Sequence, residues 1–260
     1  MPDGEPNTAW NHELLQNPHA VADKRTRVQR MFAAIAPTYD LNNRLHSLWQ
    51  DQRWRRKAVK LAQLDWLETV VDVACGTGDL SLAFLDAPLD LTQTVIGIDF
   101  THQMLKEARR KAEAATVGDH LDLIQGDAQS LPLPDGCCDV VSIAFGIRNV
   151  QDPAEAIREF HRVLRPGGRV IILEFSLPSN SILRGLYNFY FRKVLPRTAT
   201  LISRDKTGAY KYLPESVNTF IGREQMVDML RAAGFTDVQQ FPMTFGVCVC
   251  YRGIKPNAPS

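Results

Sequence analysis

The sequence predicts an α/β fold, a doubly wound and mostly parallel sheet whose last strand is reversed, and three observations carry that prediction. Short, nearly all-apolar runs such as "VVDVA" and "RVIILEF" suit strands buried on both faces of a parallel sheet. Such runs alternate with helical segments from Thr69 to Ser176. The two closing strand-like runs, 237–243 and 246–252, are joined by a link too short for a parallel crossover, so that pair must be antiparallel.

Residues 1–24 are polar and proline-punctuated and read as a loose tail. From Val28 to Leu64 the pattern turns helical, with Trp49 and Trp54 among basic residues, so 25–66 form a helical N-terminal segment. Strands are expected at 69–75, 94–99, 121–126, 138–144 and 169–175, and helices at 79–86, 102–115 and 153–164. "RPGG" (165–168) ends a helix and turns into the next strand. The alternation breaks after Ser176, where 180–220 form a helical, aromatic and basic insertion, and "GREQMVDMLRAAGF" resumes the core pattern. A single domain over 25–254 with a short tail at 255–260 accounts for the 260 residues.

Composition narrows the function. At 45% hydrophobic, 23% charged and a net charge of +1, no basic excess is present to neutralise nucleic-acid phosphates. The cysteines Cys75, Cys137, Cys138, Cys248 and Cys250 form no C-x-x-C pair and match no histidine spacing, so neither structural zinc nor any other metal site is expected. Cys248 and Cys250 share one strand face and read as core. "MPDGEPNTAWNHELLQNPHA" lacks the basic and apolar regions of a signal peptide, and no stretch is apolar enough to span a bilayer, so the expected location is cytoplasmic.

The stretch "TVVDVACGTGDLS" is a strand running through a glycine turn into a helix. Gly76 and Gly78 are followed by Ser81 where a dinucleotide fingerprint wants its third glycine, and the absence of G-K-[ST] rules out a P-loop. Alone the motif is only a tight turn. Asp99 closes the second strand in "VIGID", about 20 residues after the glycines, where a carboxylate accepts both ribose hydroxyls. Asp127 closes the third strand, where an acid and the neighbouring amide of Ala128 meet an adenine edge. Asp72 lies inside an apolar strand and must be hydrogen-bonded or paired. Three carboxylates repel a pyrophosphate but suit a ligand with ribose, adenine and a positive charge, which points to S-adenosylmethionine.

"VVDVACGTGDLS", "GID", "GDAQSLPLPDGCCDVV" and "HRVLRPGGRVIILEFS" resemble the successive motifs of a Rossmann-like class I S-adenosylmethionine-dependent methyltransferase. "YDLNNRLHSLWQDQRW" (39–54) and "RVLRPGGRVIILEFS" (162–176) resemble the two signatures of the ubiquinone/menaquinone biosynthesis C-methyltransferases of the UbiE/MenG type, as do "FGIRNV", "VLPR" and "YKYLPESV". The resemblance runs from about residue 25 to 254. It departs at Asn42, where the family carries Met, at His46 (an aliphatic), at Asp51 (His) and at Arg165 (Lys).

The resemblance implies methyl transfer onto a ring carbon of a demethylated prenyl quinol, with demethylmenaquinol first and a 2-methoxy-6-polyprenyl-1,4-benzoquinol as the alternative. It also implies that Gly76, Thr77, Asp99, Asp127, Ala128 and Asp72 contact the cofactor. Tyr39 and Asp40 would line the same site from an N-terminal lid. Arg148 and Asn149 follow the fourth strand; Arg148 either stabilises quinolate charge or holds a water, or else pairs with a helix carboxylate. His46 and His161 read as surface or packing histidines.

"SILRGLYNFYFRKVLPR" (181–197) places Leu183, Leu186, Tyr187, Tyr190 and Val194 at helical spacing, with Arg184 and Arg192 opposite. That stripe suits a helix lying in the lipid interface, and equally a pocket cap or a dimer contact. The expected partners are therefore a prenylated quinol, the inner face of a membrane, and a second copy or another quinone-pathway enzyme. Two rival functions are weaker. An NAD-dependent oxidoreductase conflicts with the missing third glycine and the crowd of carboxylates. A non-catalytic scaffold conflicts with the intact Asp72, Thr77, Asp99 and Asp127.

Overall fold

The computed structural model describes residues 9–86, 94–203 and 205–257. Three helices come first: α1 (Lys24–Ile35), α2 (Tyr39–Ser47) and α3 (Gln50–Ala62). The alternating body comes next, as β1 (Thr69–Val73), α4 (Asp79–Leu85), β2 (Thr94–Asp99), α5 (His102–Ala114), β3 (Leu121–Gln125), β4 (Cys138–Ala144), α6 (Pro153–Val163) and β5 (Leu164–Phe175). The insertion holds α7 (Ser181–Phe189), a π-turn (Tyr190–Val194), α8 (Leu195–Ser203) and α9 (Ala209–Asn218). The chain closes with α10 (Arg223–Ala232), β6 (Thr236–Met243) and β7 (Cys248–Ile254). The sheet has seven strands in the order β3-β2-β1-β4-β5-β7-β6. Every pair is parallel except β5–β7 and β6–β7, so β7 is the reversed strand that the short closing link required. This is the Rossmann-like class I methyltransferase architecture.

Residues on β1 and β4 alternate between two apolar layers because successive side chains leave opposite faces of a strand. Val71, Val141, Ile157, Phe160 and Leu230 pack on one side of the sheet, and Val70, Val140, Ala58, Phe84 and Trp54 on the other. Local chemistry sets helix starts: the Asp152 carboxylate accepts from the N–H groups of Ala154 and Glu155, with Pro153 at the first helical position of α6. "RPGG" does make a turn, but inside the strand pairing. Cys138 pairs with Leu164 and Val140 with Arg169, so 165–168 loop out between them with Gly167 at φ +79.

The expectation of a loose tail fails from Ala9 onward. Trp10 is buried and stacks on Tyr212 with ring centroids 4.4 Å apart, and its backbone N–H donates to the Thr207 carbonyl. The segment is polar on average, yet one indole finds an aromatic partner far along the chain, and that single burial outweighs the composition. A third apolar cluster results, joining Trp10, Val28 and Met31 to Phe191, Leu195 and Tyr212 of the insertion. Trp10→Ala should therefore cost about 3–5 kcal/mol in chemical denaturation. A loss under about 1 kcal/mol would return the segment to a loose tail.

The stripe expected over 183–194 is out of phase. Within α7 Tyr187 is buried but Leu183 and Leu186 are exposed; after the π-turn, which adds a residue and rotates the helix beyond it, Phe191 and Leu195 are buried while Val194 is not.

Candidate functional site

Strand order reverses between β1 and β4, and ligands of open α/β sheets bind in the crevice that such a reversal leaves at the strands' carboxyl ends. Gly76, Asp99, Asp127 and Ala128 line that crevice, with Phe100 and Met104 as apolar walls. Gly76 and Gly78 take φ of +57 and +80, and a Cβ on Gly76 would project into open space within the crevice. Ala74 and Phe145, at the ends of β1 and β4, are held in the same left-handed region without being glycine, a strain that clusters at ligand sites.

Asp99 is the hub. One of its carboxylate oxygens accepts from Gly76 N–H at 2.9 Å and the other from Thr101 N–H at 2.8 Å. Each oxygen keeps a lone pair for a further donor, as two vicinal ribose hydroxyls require. Burial pushes its pKa up to about 6, against the opposing pull of the Thr101 and Gly76 N–H groups. Asp127 accepts from Gln129 N–H and pairs with Arg25 of α1 at 3.1 Å, so a lid helix reaches over the crevice. A ligand that is cationic and carries ribose and adenine fits this set; a pyrophosphate does not.

Two expected contacts lie elsewhere. The Asp72 carboxylate is spent on the hydroxyls of Ser81 (2.6 Å) and Ser142 (2.7 Å), bracing β1 against α4 and β4 beneath the turn. Burial likewise raises its pKa to about 6, the two serine hydroxyls opposing. Thr77 donates its hydroxyl to Asp40 of α2 at 2.6 Å, and Lys111 donates to both Asp40 (2.7 Å) and Asp79. Burial would raise the Asp79 pKa, but Arg55, Lys111 and Arg44 hold it down at about 2. Thr77 and Asp72 therefore fix the turn and the lid rather than line the crevice.

Beyond the crevice lies a second cavity of about 410 Å³. Phe32, Tyr39 and Phe145 line both spaces and form the partition between them. Trp54, Phe175, Tyr190, Phe191 and Tyr212 make the second cavity largely aromatic, with Arg148 on its wall. The half-buried Tyr39 faces both spaces, and desolvation raises the pKa of its phenol. Arg148 donates to Glu174 of β5 at 2.6 Å and to the Phe145 carbonyl at 2.7 Å, and it lies 5.3 Å over the Phe175 ring. Burial alone would lower its pKa; Glu174 more than offsets this and holds it above the ordinary value. Its partner is thus a strand carboxylate, not one on a helix. Asn149 accepts from the Tyr212 hydroxyl at 2.9 Å and donates to the Phe145 carbonyl.

His46 is the packing histidine of the two alternatives rather than a surface one. It lines the cavity and is held by the Asn42 carbonyl and the Thr198 hydroxyl. Asp51 lines it too and pairs with Arg55 at 2.9 Å, so two of the family departures face this cavity. His161 packs edge-on against Phe235, and Cys248 and Cys250 are core, as expected. Sequence reasoning missed Glu174, although "RVIILEF" shows it as the lone acid in a buried run. It also missed Arg25, Phe145 and Tyr212, which no local pattern marks.

Protonating Asp99 removes a charged acceptor, so affinity for a ribose-bearing cofactor should fall about tenfold from pH 7 to pH 5, centred near 6. Calorimetry across that range checks it, and a flat profile would detach the ligand from Asp99.

A family model described as the ubiE/COQ5 methyltransferase family matches residues 20–255. A Geobacter sp. protein named ubiquinone/menaquinone biosynthesis C-methyltransferase UbiE is 42% identical over 237 residues, covering 91% of this chain and all of that one. A Thermus thermophilus protein named demethylmenaquinone methyltransferase is 47% identical over 227 residues, covering 87% of this chain and all of that one. Among solved structures, a SAM-dependent methyltransferase of Thermotoga maritima superposes with a TM-score of 0.60 at 21% identity, covering 88% of this chain and 99% of that one. That last likeness speaks to the fold alone.

Proposed function

The chain belongs to the ubiE/COQ5 methyltransferase family, and on that premise we propose that it methylates a ring carbon of a prenylated quinol at the expense of S-adenosylmethionine. Demethylmenaquinol is the acceptor we favour, since the Thermus thermophilus relative carries that name. The observation that carries the reading is the pair of adjoining spaces: a crevice built around Asp99 and an aromatic cavity, with Tyr39 and Phe145 between them.

Bound in the crevice, S-adenosylmethionine supplies an electrophilic methyl group. The chain's own residues orient, enclose and manage charge. Asp99 takes the ribose hydroxyls while Gly76 and Thr101 fix its carboxylate in place. Trp54, Phe145 and Phe175 pack together at centroid separations of 4.6–6.1 Å and exclude water from the ring. A quinol ring carbon becomes nucleophilic as its neighbouring hydroxyl loses a proton, and Arg148 presents a guanidinium to that growing charge. Because Glu174 already balances it, the help is directional rather than that of a free cation. Tyr39 meets the ring at the partition, its phenol kept protonated by burial.

The prenyl tail implies a bilayer source. Ile182, Leu186 and Phe189 of α7, and Leu48 and Trp49 after α2, are exposed, and no acidic residue occurs from Phe175 to Ser203. Those features support peripheral contact with a membrane. Among the described residues no helix is long and apolar enough to cross one.

The acceptor is tested by offering short-tailed demethylmenaquinol and the 2-methoxy-benzoquinol in parallel. The naphthoquinol should show kcat/KM at least about tenfold higher. The reverse order would reassign the ring.

A further inference from the structure

We propose that the basic groove on the outer side of the π-turn is a phosphate-binding site for the headgroup of an acidic phospholipid. The helix from Tyr190 to Arg197 divides cleanly. Tyr190, Phe191 and Leu195 line the aromatic cavity, whereas Arg192, Lys193, Pro196 and Arg197 line a groove of about 470 Å³ on its other side. His12, Leu15, Lys211, Pro214 and Glu215 complete that groove.

Its charge is one-sided. Four Lys or Arg side chains face one carboxylate, Glu215, and that carboxylate is spent on Arg192 at 2.8 Å. Among the described residues no ion pair engages Lys193, Arg197 or Lys211. Arg197 is already placed, since its guanidinium donates to the Lys193 carbonyl. A planar fork beside two ammonium groups is the donor set that a phosphate's oxygens accept. Pro196 and Pro214 give the groove a stiff, apolar floor.

A soluble phosphate would satisfy the charges alone. The lipid is favoured because Phe189, Leu186 and Ile182 lie exposed just before the groove on the same helical stretch. A headgroup held by Lys193 and Arg197 sets its acyl chains against those side chains. The occupant would then brace the helix whose inner residues wall the cavity. This assignment rests on the reading of the substrate as a prenylated, bilayer-held quinol.

The test uses the full chain and vesicles of phosphatidylcholine with or without about 30% phosphatidylglycerol, whose anionic surface attracts basic residues. Wild type should partition to the anionic vesicles, and Lys193→Gln/Arg197→Gln/Lys211→Gln should lose roughly a hundredfold of that partitioning. Turnover of a short-tailed, water-soluble quinol should be the same in both proteins, since none of the three residues lines the crevice or the cavity. Equal partitioning of variant and wild type overturns the site, as does indifference of wild type to the anionic lipid. Calorimetric binding of inorganic pyrophosphate by wild type without vesicle partitioning would overturn the lipid in favour of a soluble phosphate. If wild type turns over no quinol, the catalytic reading fails while the vesicle result still decides the groove.

Discussion

Asp99→Ala should bind S-adenosylmethionine at least a hundredfold more weakly than wild type. Two hydrogen bonds to a charged acceptor, at about 1.5–3 kcal/mol each, are lost together, and about 1.4 kcal/mol is tenfold in affinity. The same carboxylate holds the Gly76 and Thr101 N–H groups, so Ala also loosens the turn. Asp99→Asn separates the two effects, because an amide keeps the shape and one oxygen acceptor but no charge. The folded pKa of Asp99, about 6, lies above its ordinary value, so ionisation is disfavoured in the fold. The fold then binds the extra proton between pH 4 and 6, and stability falls as pH rises through that window. At pH 7 the Asn variant should therefore melt no lower than wild type while binding the cofactor more weakly. Unchanged calorimetric affinity in both variants would move the cofactor away from this crevice.

Arg148→Ala should lose stability and rate together. It leaves Glu174, 2% exposed, as a buried carboxylate without its cation, at a cost of about 3–5 kcal/mol. In a chain of this size that lowers Tm by about 6–20 °C. The Phe145 carbonyl loses a donor as well, and Phe145 is part of the partition between the two spaces. Below the melting range, kcat should drop by on the order of a hundredfold if the guanidinium faces the developing quinolate in a water-excluded site. Arg148→Lys tests the two roles apart. A lysine keeps a cation beside Glu174, so most of the stability should return. A point charge cannot bridge Glu174, the Phe145 carbonyl and the substrate at once, so kcat should stay low. Full kcat in the Ala variant would confine Arg148 to holding the loop.

How much of the site is legible in the sequence depends on how local each signal is. Asp99 and Asp127 are legible because a strand's end puts its last side chains at the crevice. Asp72 is legible as a buried acid needing partners, but Ser81 and Ser142 sit on a helix and a strand that only the fold brings to it. Thr77 sits between two glycines in a ligand-binding turn, yet its hydroxyl goes to Asp40, a contact set by lid docking that no spacing records. Periodicity misplaces the buried face beyond Tyr190, where Phe191 and Leu195 rather than Val194 are buried, because one π-turn breaks the 3.6-residue repeat on which the reading depends. Trp10 is invisible for the opposite reason. Its neighbours are polar, and its partner Tyr212 lies at the far end of the chain.

The most direct measurement is of where the methyl group goes. The purified protein is incubated with S-adenosylmethionine carrying a trideuterated methyl group and with short-tailed demethylmenaquinol, and the product is analysed by mass spectrometry and proton NMR. Wild type should yield a quinol that has gained one trideuteromethyl group and lost its ring proton, with both hydroxyls free. Label on a quinol oxygen, or bound cofactor with no transfer to any quinol, would contradict ring-carbon methylation.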